Sequence, residues 1–481
     1  MAIGIKVTFR SKISEIMDHC VHYYMTNIIM EKTILTIVLF QIMGSICGKQ
    51  LNCQVDDYDD KTLNSEVSAR EWIKTLMNRN TALILAAKKG QKEEVSLLLE
   101  NGANVEAMDK DGNTALLWAA FKGFKEIVLL LIENGADIEA INSDGNTALT
   151  WAAVCEHREV VALLIENGAK VNATNNTGHT ALILAALNGD EDSASFLVKH
   201  GANVNATNND GNTAMMFAAG NANGADVEEK NGVTLDFFTK AWRMEIDIVS
   251  LLVEHGANVN TRDNNGETAL IWAATFGNEK VASFLVNNGA DMEVKDNSGN
   301  TALILSARWA KLAVAKLLIK SGANVNAVND DGNTALCMAA VYSNERVSSI
   351  FPGNIGHSEE QSTGLWTGEN GDKDIASLLI ANGADINIIN KYGNTALLYA
   401  LLKENHKIAL FLIKHGADVN TRSRTDGTTA LMMAAMNGSW NEWNSEVLLA
   451  LHEHGADVSA KNNDGHTARD IWDLDHGLVI Q

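Results

Sequence analysis

The chain has 481 residues, one proline, five cysteines and a formal net charge of −22. Its acid is spread along the whole length, with no basic stripe, which speaks against nucleic-acid recognition; it serves solubility or steers the chain toward a basic partner. The cysteines at 20, 47, 53, 155 and 337 form no Cys-x-x-Cys pair, so they read as free thiols of a reducing compartment rather than a disulfide framework.

Residues 1–48 form an N-terminal segment. Met30-Glu31-Lys32 precedes an apolar run from Thr33 to Ile46, and Ser45-Ile46-Cys47 supplies small residues at signal-peptidase spacing. Read from Met30, residues 30–48 make a secretory signal. Read from Met1, the same run is a buried helix, or a membrane anchor over residues 28–47, although it is short for a spanning helix. The cytoplasm is slightly favoured, with secretion as the alternative. The sequons at Asn172, Asn175, Asn205 and Asn437 do not decide, because Asn-rich segments produce such triplets by chance. Residues 49–79 form an acidic linker in which Glu66 to Leu76 is expected to make a capping helix.

From residue 80 one block recurs. Asn146-Thr147-Ala148-Leu149-Thr150-Trp151-Ala152-Ala153 has counterparts beginning at Asn80, Asn113, His179, Asn212, Glu267, Asn300, Asn333, Asn394 and Thr428. A glycine precedes nine of the ten blocks, and the steps between these glycines are 33, 33, 33, 55, 33, 33, 61 and 34, with a further 38 to Gly465 before a degenerate block. A fixed period of this size means one supersecondary unit copied many times.

Within the unit 145–178, Asn142-Ser143-Asp144-Gly145 predicts a turn with positive φ at the glycine. Thr147 caps a helix whose Ala148, Leu149, Ala152 and Ala153 form a face of small residues. A second helix runs through Val160, Val161, Leu163, Leu164 and Ile165 and ends at Asn167-Gly168, with Ala169–Asn172 leading on in extended form. Helices this short do not persist alone in water, so Leu149, Val161 and Leu164 must be buried by the neighbouring units.

The pattern Gly-x-Thr-Ala-Leu-x-x-Ala-Ala, then Val-x-x-Leu-Leu, then Gly-Ala-Asp-Val-Asn, resembles the ankyrin repeat over residues 80–465. The resemblance implies an all-α repeat solenoid, a stack of helix-turn-helix units with β-hairpin tips, occupying residues 80–481. The Thr-Pro-Leu-His usual in that family becomes Thr-Ala-Leu-x here. Ile84, Leu117, Thr150 and Ile183 stand where it has His, which predicts apolar contacts in place of its inter-repeat hydrogen bonds.

Three irregularities interrupt the period. The step of 55 suggests two repeats with a deletion, leaving a partial repeat at 220–243 that starts at Gly232-Val233-Thr234-Leu235. The step of 61 places a loop insertion at 346–372 between the two helices of one repeat. A shorter insertion with Trp440 and Trp443 sits at the same point of the last full repeat. At the C-terminal end Thr467-Ala468-Arg469-Asp470 brings charge to what should be an exposed cap.

No phosphate loop, dinucleotide fingerprint, His-Glu-x-x-His or Gly-x-Ser-x-Gly is present, and no catalytic residue, metal site or cofactor is expected. Asn142-Ser143-Asp144-Gly145 lacks the ligands of a calcium loop. His19-Cys20-x-His22 has no further partners for a metal. His200, His255, His415 and His454 precede helix-ending glycines and read as caps. Trp118, Trp151, Phe217, Trp272 and Tyr399 share one repeat position and read as core.

The two positions after Ala-Ala face a concave groove in the family, together with the hairpin tips. Here they hold Phe121-Lys122, Val154-Cys155, Leu187-Asn188, Thr275-Phe276, Arg308-Trp309 and Val341-Tyr342. That is an apolar stripe, read either as a partner site or as packing between repeats. The expected partner-binding residues are Phe121, Lys122, Val154, Leu187, Phe276, Arg308, Trp309 and Tyr342. The expected tips are Asp111, Asp144, Asp210, Asn265, Asp331 and Tyr392. The expected function is a monomeric, non-enzymatic protein–protein interaction scaffold with protein partners of unknown identity, no nucleic acid and no small-molecule substrate. A secreted or host-directed effector is the alternative.

Overall fold

The computed structural model describes residues 79–220, 246–341, 371–436 and 442–475, all within the unit Met77–Gln481. The N-terminal segment with its candidate signal, the capping helix expected at 66–76, the segment 221–245, Tyr342 and most of the 346–372 insertion lie outside the described residues.

Pairs of short helices alternate along the chain. First helices such as Ala115–Lys122, Ala148–Val154 and Ala181–Asn188 pack on one another from unit to unit, and second helices such as Lys125–Glu133, Arg158–Glu166 and Glu191–Lys199 form the next layer. The threonine starts each first helix. The Thr147 hydroxyl accepts the Thr150 amide, and the Thr150 hydroxyl in turn accepts the Thr147 amide. The hydroxyls of Thr114, Thr180, Thr268, Thr301 and Thr395 likewise accept the amide three residues on. The alanines let the helices approach closely. Leu149, Val161 and Leu164 are buried between units, as expected, and each such side chain contributes roughly 1.5–3 kcal/mol.

Second helices end on side chains that bond their own last turn. The amides of Asn101, Asn134 and Asn167 donate to the carbonyls four residues back. His200, His255, His415 and His454 use Nδ1 on the corresponding carbonyls at 2.7–2.8 Å. A carbonyl only accepts, so Nδ1 carries the proton, and these histidines are helix caps.

The loops differ from the expected hairpins. Among the described residues they carry only isolated bridges, Thr174↔Thr180, Thr207↔Thr213 and Arg422↔Thr429. The stretch expected to be extended after Gly168 instead closes a turn, with the Ala173 amide on the Lys170 carbonyl at 3.0 Å. Besides bonds within each loop, one backbone bond per loop crosses to the unit before. The amides of Ser143, Asn176, Asn209, Asn264 and Asn297 donate to the carbonyls of Asp111, Asp144, Thr177, Asp210 and Asn265 in the unit before.

Side chains add two more ladders. Asn142 Oδ1 accepts the amides of Asp144 and Asn146, closing its own turn, while its Nδ2 donates 2.9 Å to Asn113 Oδ1 of the preceding unit. Asn175, Asn329 and Asn390 repeat this on Asn146, Asn300 and Asn333. On the other side of the loop, Glu106 accepts the Asp137 amide, Asn172 the Asn203 amide and Asn326 the Asp385 amide. Apolar contacts are expected in place of the hydrogen bonds of the family's histidine. Buried Ile84, Leu117 and Ile183 do supply them, but asparagine carries a hydrogen-bond network beside them.

The ladders also span the 55-residue step. The Asn264 amide donates to the Asp210 carbonyl at 2.9 Å and Asn264 Nδ2 to Asn209 at 3.0 Å, the same bonds that Asn176 makes to Asp144 and Ser143. The helix Ile246–Glu254 packs on Ala214–Gly220 as the second helix of that unit. The loops on either side of residues 221–245 are therefore direct neighbours in the stack, and the partial repeat expected at 220–243 lies outside the described residues. The extra residues enter between the two helices of one unit. The 61-residue step follows the same rule: Gly371–Ala381 packs on Ala335–Val341, and Asn390 bonds Asn333 directly. Trp443 belongs to the helix Glu442–Glu453 rather than to a loop.

Asn142→Ala removes three hydrogen bonds from a side chain only 6% exposed. It is expected to cost on the order of 1–3 kcal/mol, because buried groups lose their partners. Hydrogen exchange should accelerate in residues 113–166 and leave the helices Ala396–Leu402 and His406–Lys414 protected. Uniform acceleration along the chain would contradict nearest-neighbour coupling.

Candidate functional site

The first helices put two positions per unit beside the loops, three residues apart on one helix face. In the helix Ala115–Lys122 these are Trp118 and Phe121, whose rings meet edge-on at 5.8 Å. Both rings reach Trp151 of the next unit, at 5.6 and 4.9 Å. Trp118 Nε1 donates 2.9 Å to Asp109 Oδ2 at the base of the loop, and Lys88 Nζ lies 3.8 Å over the Trp118 ring. Burial works against the Asp109 carboxylate, but bonds from the Asn113 amide, the Trp118 indole and the Asp111 amide outweigh it and hold its pKa below the ordinary value.

A second aromatic group follows after the Leu184 and Leu187 unit. Phe217 meets Trp272 at 5.6 Å, and Trp272 meets Phe276 at 6.1 Å. His179 packs on Phe217, and burial lowers its pKa. Further along, Arg308 lies over Trp309.

Of the expected binding residues, Phe276 is exposed at 44%. Lys122 is exposed too, while Phe121, Val154, Leu187, Arg308 and Trp309 are half-buried. Tyr342 lies outside the described residues. The reading of the tryptophan position as core holds for Trp118, which is buried. Trp151, Phe217, Trp272 and Tyr399 also pack against the core, but are only half-buried. Trp118 and Tyr399 of this position bond the loop residues Asp109 and Asn390.

One signal near this face was missed. Glu156, Ala310 and Glu404 have positive φ, of 57°, 53° and 57°, where other units place Gly123, Gly189 or Gly277. Each strained residue directly follows Cys155, Trp309 or Lys403, the residue that ends its first helix.

The expected tips are exposed at Asp111, Asp144, Asp210, Asn265 and Tyr392. Asp331 is half-buried and paired with Lys391. Among the described residues no three His, Cys, Asp or Glu side chains are grouped to hold a metal ion, and no helix is long and apolar enough to cross a membrane. Burial pushes the half-buried Cys155 thiol up to about 11 and raises that of Cys337. The sequon nitrogens of Asn172, Asn175 and Asn205 are all engaged in bonds to the adjoining unit.

Family models agree with this architecture. The model described as ankyrin repeats in three copies matches residues 59–142, 171–229, 223–296, 288–351 and 365–462, and a single ankyrin repeat matches 144–176. The chain belongs to the ankyrin repeat family. Ankyrin repeats are protein–protein interaction modules. No curated protein matches the chain.

The loops of this ankyrin stack contain one electrostatic fault. Glu267 stands where most units have Asn, so the rung between it and Asp296 joins two acids. Burial raises the Glu267 pKa, and the carboxylates of Asp263 and Asp296 raise it further. Asp263 is buried, and its Oδ2 has no partner. In two other units Asn113 and Asn300 donate to the equivalent Asp109 and Asp296. Glu267→Asn therefore supplies the missing donor and is expected to stabilise the protein by about 1 kcal/mol. The wild-type penalty is absent while Glu267 is protonated and grows as pH rises through its raised pKa. The gain in melting temperature should thus be larger at pH 7.5 than at pH 4.5. A gain that is equal at both pH values, or a loss, contradicts this assignment.

Proposed function

We propose that this protein is a non-enzymatic scaffold that binds a partner protein on the face formed by its first helices and loop tips. The observation that carries the reading is the aromatic row beside the loops, which runs from Trp118 through Trp151, Phe217 and Trp272 to Phe276, the last exposed at 44%. Aromatic side chains dominate binding energy in the centre of interfaces. The exposed apolar residues of the second helices, Leu97, Leu129 and Leu449, are scattered singly and carry no such row. Charge on the surrounding surface then acts mainly on association rate and salt dependence.

The test is affinity capture from the source cell with three forms: wild type, Phe276→Ala with Trp309→Ala, and Leu97→Ala with Leu129→Ala as the control on the other helix layer. The aromatic double variant is expected to lose at least ten-fold in affinity for the captured partner while its thermal melt stays cooperative, and the control is expected to bind as wild type. A folded aromatic variant that holds the partner undiminished would remove this face as the site.

A further inference from the structure

The tip residues that border the aromatic row have spent their backbone. The Asp111 and Asp144 amides donate to Asp109 and Asn142 side chains, and their carbonyls accept from Ser143 and Asn176. A β-strand added along the tips would find no free backbone partner there. What the tips offer is side chains: the exposed carboxylates of Asp111, Asp144 and Asp210, in the first, second and fourth units of the row.

The spacing of these carboxylates selects a ligand geometry. Successive units are one helix apart, about 8–10 Å. A polyproline II chain turns once in three residues and rises about 9 Å per turn. Its every third side chain then meets successive units on one face. An α-helix, with a pitch of about 5.4 Å, does not keep step with the stack. This extended conformation also makes no backbone hydrogen bonds of its own, which fits a surface that offers none. Lys88 and Lys122 already stand over the Trp118 and Phe121 rings, so a ligand's positive charge belongs at the tip carboxylates rather than over these rings.

Resting on the function proposed above, we propose that the half-buried rings of Phe121 and Trp151, with Asp111, Asp144 and Asp210, dock an extended, proline-containing segment of a partner protein that bears Arg or Lys at every third position. The basic side chains pair with the tip carboxylates, and the apolar side chains of the adjacent face lie on the rings.

The test uses the full chain and two labelled synthetic peptides of identical composition, read by fluorescence anisotropy. One has arginine at every third position with proline and leucine between; the other has its arginines contiguous. The in-phase peptide is expected to bind at least ten-fold more tightly. The triple variant Asp111→Asn, Asp144→Asn, Asp210→Asn, which keeps polar side chains at exposed turn positions, is expected to lose at least ten-fold for the in-phase peptide and to show a shallower salt dependence. Equal affinity for the two peptides, binding of neither, or in-phase binding unchanged in the triple variant overturns the proposal. Because the capture experiment reads Phe276 and Trp309 instead, a failure here combined with partner loss there removes this ligand but keeps the face.

Discussion

The structure depends on a side-chain amide that serves two units at once. Asn142 accepts the two amides that would otherwise be orphaned in its own turn and donates to Asn113 of the unit before. A loop of fourteen residues between short helices, such as 134–147, has more backbone donors than it can pair internally, and unpaired buried groups are costly. Borrowing partners from the neighbour solves this and fixes the register of the stack. Burial of Leu149, Val161 and Leu164 drives association of the units, but apolar contact is non-directional. The ladder of asparagines supplies the direction.

Much of this was legible in the sequence. The period, the Thr147 cap, the turn glycine and the two helices of the unit follow from local propensity and spacing, and the structure shows them at the expected residues. Gly145 has φ 75°, and a Cβ there would run into Asn176 of the next unit. The role of Asn142 was not legible, because an asparagine before Gly reads as a turn former whether or not its Nδ2 reaches another unit. Which loops adjoin across the 55-residue step was not legible for a related reason. Gly224-Ala225-Asp226-Val227 mimics the end of a repeat, and only the long-range bond from Asn264 to Asp210 shows which loops are neighbours. The aromatic position was legible as core-packing, but not that Trp151, Phe217, Trp272 and Tyr399 stay half-buried, because a large ring at an Ala-flanked position satisfies the core pattern either way.

The same ladder shapes what the site can do. Loop backbones committed to neighbouring units hold their tips in fixed register and leave recognition to side chains. A surface of this kind reads a partner by the spacing of its charges and apolar groups. The three departures from regularity have a common logic. The additional residues at 221–245, 342–370 and 437–441 all fall in sequence between a first and a second helix, and the loop bonds from Asn264 to Asp210 and from Asn390 to Asn333 form across the first two of these steps. The acid-for-amide exchange at Glu267, in contrast, falls within the ladder and weakens one rung next to the most exposed ring of the aromatic row, Phe276.

The account stands on loops bonded directly from one unit to the next, even where the chain between them is long. Residue-resolved hydrogen exchange of the Asn264 amide tests this most directly, with the Asn176 amide as reference. The bond to Asp210 across the longer step predicts protection of Asn264 equal to that of Asn176 within a factor of a few. Exchange of Asn264 at the rate of an unprotected peptide, with Asn176 still protected, would show that the units on either side of residues 221–245 are not neighbours.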